Sequence, residues 1–457
     1  MDPRNADDGR SLSENEPMLA KAPVSREASV SEDQAGWGGG VTRRQFLSIG
    51  ATTAVLASSP VSAWPLRSAP RTAAPKQVAP VVAGSGNLVL VTLYGGNDGL
   101  DTIVPFADPA YQAGRADLAW RPDQLLPLDG QFGLHPALVG LKSLWDERTL
   151  AIVRGVGYPN PNRSHFRSMD IWQTASPETA INFGWLGRWY DATGPDPLRM
   201  LHLGASVPRA FVGTKGAGAA VPLGRVDLPG GAQIATGYRA LFAAPTAELG
   251  PWGARLGASG SDLVRVISSL GPILNTAGAA GATTTNLEGG AVAAGVSSAK
   301  SPFELQLDEV ARLINADTPA RVYSVSLGGF DTHASEKEAH SRLLANVDRG
   351  LSAFARNLAA SARGANTTVL VYSEFGRRVA ANFSGGTDHG TAAPVLVLGP
   401  GVKGGFYGEQ PSLTDLTEGD LKFSVDFRSV YATVLGSVLG IDPAAVLGRS
   451  FAPLGFL

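Results

Sequence analysis

Short apolar runs of strand length alternate with amphipathic stretches along most of this chain. Leu88-Val89-Leu90-Val91-Thr92-Leu93-Tyr94 is almost continuously apolar, the pattern of a strand covered on both faces. Leu150-Ala151-Ile152-Val153, the run from Arg321 to Leu327, Val369-Leu370-Val371-Tyr372 and the run from Pro394 to Leu398 repeat it. Between them the spacing turns helical. Leu138, Leu141, Leu144 and Trp145 share one helix face, as do Val310, Leu313 and Ile314, and a longer amphipathic helix starts near Ser335 and runs to Ala362. Strand, helix and strand in alternation predict an α/β fold, with a doubly wound, mostly parallel central sheet and helices on both faces.

The remainder of the chain departs from this rhythm. Residues 1–40 are polar and aperiodic, which predicts disorder. Thr42-Arg43-Arg44-Gln45-Phe46-Leu47, a modest apolar run and Val61-Ser62-Ala63 follow, together reading as a twin-arginine (Tat) export signal cleaved after Ala63. The apolar run is too short and too rich in Gly, Ser and Thr to span a bilayer, so no stable transmembrane segment is expected there. The expected organisation is a signal region over 1–63, a Pro/Ala-rich linker over 64–86 and one α/β domain over 87–457. Insertions are expected near 181–300; the stretch 181–250 reads as a cap and 277–298 as a flexible low-complexity loop. Export places the mature protein in the periplasm or outside the cell, with the Tat translocase as a partner.

Composition narrows the chemistry. A formal net charge of -2 offers a nucleic-acid partner no electrostatic support. With no cysteine, disulfides, thiolate metal ligands and a Cys nucleophile are excluded, leaving histidines and carboxylates as ligands.

Polar residues that follow the predicted strands supply the candidates, because ligands of such sheets bind at the carboxyl ends of the strands. After the first strand comes Gly95-Gly96-Asn97-Asp98-Gly99, in which Asp98 is either a ligand or ordinary turn chemistry. After the second comes Asn162-Arg163-Ser164-His165-Phe166-Arg167. Ser164 could attack an anionic substrate held by Arg163 or Arg167, or it could simply cap the next helix. Asp331 and His333 can turn to one ion; alternatively Asp331 caps a helix and His333 is a surface residue. Ser373, Glu374, Asp388 and His389 flank two further strands. Of the other histidines, His135 reads as helix-terminal or buried, His202 as a core residue and His340 as solvated. No G-x-S-x-G, H-E-x-x-H or P-loop is present.

In order, LYGGNDGLDT, NRSHF, GGFDTH, VYSEFGR and GGTDHG resemble the alkaline phosphatase and sulfatase superfamily, and within it the Tat-exported, sulfatase-like family of unknown function 1501. The resemblance runs from about Asn87 to the C-terminus and includes the twin-arginine leader. It implies a divalent metal ion (zinc, calcium or magnesium) and hydrolysis of a phosphate or sulfate ester, the substrate being an anionic small molecule or polymer. It implies Asp98, Asp331, His333, Glu374, Asp388 and His389 as metal ligands, with Ser164 as nucleophile beside His165, Arg163 and Arg167. Phe375 stands where many members of the superfamily place a metal-binding His or Asn, which depletes one ion site. The alternative is an exported binding or scaffold protein on the same fold.

Overall fold

A computed structural model describes residues 86–228, 231–243, 250–275 and 300–457; the predicted signal region and the 277–298 loop lie outside these residues. In chain order the strands used below are β1 (Asn87–Leu93), β2 (Leu150–Gly157), β3 (Met200–Leu203), β4 (Ala219–Val221), β5 (Val322–Leu327), β6 (Thr367–Ser373), β7 (Arg377–Ala381), β8 (Thr387–His389), β9 (Ala393–Leu398), β10 (Gly405–Tyr407) and β11 (Val425–Asp426). The nine-stranded main sheet runs β10-β2-β9-β6-β1-β5-β3-β4, with β11 also paired to β2. Strand β9 is antiparallel to both its neighbours, β6 and β2. Every other pairing in the sheet is parallel. The expected doubly wound, mostly parallel α/β sheet is what forms.

Alternation along β1 explains the layering. Val89, Val91 and Leu93 face one apolar cluster, to which α3 (Val139–Asp146), α8 (Pro302–Asn315) and α9 (Glu336–Ala359) contribute Leu141, Val310 and Leu344 among others. Leu88 and Leu90 face a second, built with α4 (His165–Thr174), α5 (Trp185–Thr193) and α10 (Phe427–Ser437). Each fully buried Leu or Val contributes about 1.5–3 kcal/mol of transfer free energy, so both faces are strongly held. Helix α8 starts at a capping box in which the Ser301 hydroxyl accepts from Glu304 N and the Glu304 carboxylate from Ser301 N.

Part of the stretch expected to form a cap belongs to the core. Trp185 and Trp189 are fully buried, and β3 and β4 extend the main sheet. The aromatic residues there read as access-shaping in the sequence because nothing local shows that a buried layer covers them. Among the described residues no helix is long and apolar enough to cross a membrane.

Parallel strands send their C-terminal ends to one edge, and antiparallel β9 begins at that same edge. The loops after β1, β2, β5 and β6, together with the hairpin β7–β8 that precedes β9, are therefore brought to one place. Two glycines make the closest approach possible. At Gly95 (φ +117°) an added Cβ would lie 2.4 Å from Asp331 N, and at Gly96 (φ +73°) 2.4 Å from the Phe375 ring.

Candidate metal centre

Three side chains from different loops converge at that edge. Ligand atoms of His165 (start of α4), Asp331 (after β5) and His389 (end of β8) all lie within 4.8 Å of one another. Asp331 Oδ1 is the focus. It is 3.0 Å from His389 Nε2, 3.0 Å from His333 Nε2 and 3.4 Å from His165 Nε2. His333 Nε2 and His389 Nε2 are 2.9 Å apart.

Hydrogen bonds on the far side of two rings fix which nitrogen faces the centre. His165 Nδ1 donates to Glu374 Oε1 at 2.7 Å, and His389 Nδ1 donates to the Arg163 carbonyl at 2.8 Å. Both acceptors can only accept, so in the neutral rings Nδ1 carries the proton and Nε2 presents its lone pair inward. His165 Nε2 is buried and has no hydrogen-bond partner. Imidazole lone pairs crowded onto a carboxylate repel unless a proton or a metal cation sits among them, and nitrogen and oxygen donors of this kind suit zinc and similar divalent ions. The residues present therefore fit a divalent metal, held by His165, Asp331 and His389 with His333 at hand.

The surroundings hold these ligands in place. Arg377, almost fully buried, donates to the carbonyls of Gly95, Gly96, Phe330 and Thr387, and at 2.8 Å to Asp331 Oδ1. It ties three of the loops together with one side chain. Partial burial raises the Asp331 carboxyl, but the hydrogen bond and charge of Arg377 hold it down to about 2. Phe375 packs its ring 4.9 Å from both His165 and His389, forming an apolar wall behind them.

Several residues expected at the site make other contacts. Asp98 is completely buried and ion-paired with Arg115, and its Oδ1 also accepts from the Leu100 and Asp101 amides at the start of α1 (Gly99–Thr102). Burial works against its charge, yet Arg115 holds the carboxyl well below the usual range. Asp98 caps α1 and braces Arg115, and it is not among the clustered ligand atoms. Glu374 accepts from His165 Nδ1, Gly95 N at 2.9 Å and Ser373 Oγ at 3.0 Å, so it supports a ligand instead of being one. Asp388 lies at the exposed rim, 3.6 Å from His333 Nδ1. Arg163 is paired with Asp420 and Glu418, and Arg167 with Asp170. Ser164 sits between Arg163 and His165, exposed, with no side-chain bond capping α4. His165, expected beside the nucleophile, faces the centre itself.

The remaining histidines are structural. His202 bonds Ser324 Oγ, and burial pushes its pKa down to about 4. His135 is buried, and burial lowers its pKa to about 4 as well. His340 is fully buried, against the expectation of a solvated residue. It lies between Asp101 Oδ2 and Asn97 Oδ1, in a polar network that its helical position does not announce. Arg377 is the functional residue most clearly missed; its only signal is its place directly after VYSEFG.

The family described as "Protein of unknown function (DUF1501)" matches residues 309–452, which include Asp331, His333, Glu374 and His389 but not His165. No curated protein matches the chain. Among solved structures, the chain is similar to a protein in the alkaline phosphatase superfamily from Vibrio parahaemolyticus (13% identity, TM-score 0.37, 82% of this chain and 72% of that one). It is also similar to the lipoteichoic acid synthase LtaP from Listeria monocytogenes (9% identity, TM-score 0.32, 78% and 72%). A third is the phosphonate monoester hydrolase of Agrobacterium radiobacter (11% identity, TM-score 0.33, 81% and 79%). At this distance function has to be argued from the site itself.

Proposed function

We propose that this protein is an exported, metal-dependent hydrolase of phosphate or sulfate esters. The observation that carries the reading is the convergence of His165 Nε2, Asp331 Oδ1 and His389 Nε2 at the carboxyl edge of the sheet. A divalent ion held there would act as a Lewis acid on the ester and offset its negative charge. The chain's own part is to orient and to attack. Glu374 and the Arg163 carbonyl keep the two imidazoles turned inward, and Arg377 fixes Asp331. Ser164 is the proposed nucleophile, on the segment whose Arg163 carbonyl braces His389 and whose His165 faces the centre. The first turn of α4 has no side-chain cap, and a helix N-terminus of this kind favours an anion. The test is Ser164→Ala: turnover of aryl phosphates or sulfates should vanish while bound metal stays at the wild-type level. Export through the Tat pathway belongs to this proposal; replacing Arg43 and Arg44 together by lysine should retain the precursor in the cytoplasm.

One observation favours a second reading, an exported binding or scaffold protein. Asp98 is consumed by Arg115 and Phe375 offers no donor, so the donors gathered here serve one ion. Metal-loaded wild-type protein that binds anionic esters but turns none over, across a broad panel, would establish that reading in place of the first.

A further inference from the structure

Strand β2 reads Leu150-Ala151-Ile152-Val153-Arg154-Gly155-Val156-Gly157, an apolar run broken by one arginine. Its pairing with β9 slips at that point. Val153 faces Val395 and Val156 faces Ala393, so Arg154 and Gly155 together oppose Pro394 alone. Two residues against one make a β-bulge, which Gly155 (φ +60°) accommodates and which Pro394, having no N–H to pair, tolerates. Bulges re-aim side chains, and the side chain carried here is Arg154.

The Arg154 guanidinium lies over two rings, 4.6 Å from the centroid of Phe406 and 5.1 Å from that of Phe132. Those contacts hold its plane and offset part of its charge. Along its edge, Nη2 donates to the Gly408 carbonyl at 2.8 Å, while Nε is buried without a hydrogen-bond partner. Among the described residues no carboxylate forms an ion pair with it; Asp129 and Glu409 act on it only from farther away, and burial lowers its pKa. A half-buried cation with a buried donor left unmatched is costly until a negative partner arrives.

That partner has a place to sit. Arg154 lines a cavity of about 20 Å³ whose other walls include Arg377, Pro394, Gln410 and Leu421, and no acidic residue is among them. The volume admits one group about the size of a water molecule. Arg377 adds positive charge, but its own N–H groups are committed to Gly95, Gly96, Phe330, Thr387 and Asp331. The unmatched donor is therefore Arg154's. We propose that this cavity binds one small monovalent anion of halide size, accepted by the edge of the Arg154 guanidinium. The site is distinct from the metal centre, although Arg377 borders both, and it does not depend on ester turnover.

The test is thermal unfolding of the full-length protein in rising sodium chloride, compared with sodium gluconate at equal ionic strength, gluconate being too large for the cavity. The wild-type melting temperature should rise with chloride and saturate, as a bound ligand requires, and should not do so with gluconate. Arg154→Gln removes the charge and should weaken the apparent chloride affinity at least about tenfold, the loss of a charge-assisted hydrogen bond. Wild-type crystals soaked in bromide should show an anomalous peak beside Arg154, and that position decides alone if Arg154→Gln fails to fold. No chloride-specific response in wild type, or an equal one in Arg154→Gln, overturns the site. So does bromide found only at His165, Asp331 and His389, or nowhere.

Discussion

Replacing Glu374 with glutamine isolates what the carboxylate charge does for His165. The side chain is buried; Oε1 accepts from His165 Nδ1 at 2.7 Å and Gly95 N at 2.9 Å, and Oε2 from Ser373 Oγ at 3.0 Å. Glutamine keeps the shape. With its carbonyl in the Oε1 position both of those bonds survive, and its amide nitrogen then faces Ser373 Oγ, whose own proton can go to the Leu93 carbonyl. The fold should persist, but a charge-assisted bond about twice as strong as a neutral one is exchanged for the neutral one. Partners of this kind behind metal-bound histidines are typically worth about 10- to 100-fold in metal affinity. That is about 1.4–2.7 kcal/mol. The assay is the zinc dissociation constant by competition with a chromophoric chelator, alongside thermal unfolding of the metal-free protein. The expected result is affinity weaker by about 10- to 100-fold with the metal-free melting temperature nearly unchanged. An unchanged dissociation constant would refute the reasoning that Glu374 supports His165 as a ligand. Glu374→Ala should behave differently, because it strands the His165 and Gly95 donors and costs about 1–3 kcal/mol of stability for each.

Arg115→Met should destabilise the fold by about 3–5 kcal/mol in urea unfolding by leaving Asp98 as an unpaired buried charge, whereas Asp98→Asn should keep full metal stoichiometry; metal loss in Asp98→Asn would restore it as a ligand. Burial first, and then the charge of Asp98, push the Glu336 carboxyl well above the usual range. Its contribution to stability is therefore complete below the ordinary carboxylate range and lost as pH rises from there toward the folded value. Glu336→Gln should accordingly gain stability relative to wild type between about pH 5 and about pH 8, and a constant difference in urea unfolding across that window would contradict this. His340→Leu should lose about 1–3 kcal/mol for each acceptor stranded at Asp101 and Asn97, while a thermal unfolding profile like wild type would show that the network has other partners.

Much of the fold could be read from the chain because apolar runs such as Leu88–Leu93 report burial on both faces locally. The loops that would meet were equally legible, since parallel strands deliver their ends to one edge. Roles within that edge were not. Whether a carboxylate binds an ion or braces the backbone depends on partners remote in sequence: Arg115 takes Asp98, and Glu374 reaches back to His165, 209 positions away. His340 reads as a polar helix residue, and only the packing of α9 against the loop after β1 buries it beside Asp101. The two arginines of NRSHFR looked like anion holders, but acidic residues, two of them in a distant loop, claim them first.

Elemental analysis of protein purified without added metal, compared among wild type, His165→Ala, Asp331→Ala and His389→Ala, tests the metal centre most directly. The geometry predicts about one divalent ion per wild-type chain and a marked loss in each variant, with all four chains still folded. Wild-type protein that holds no ion even after dialysis against zinc, or variants that keep it undiminished, would contradict the assignment.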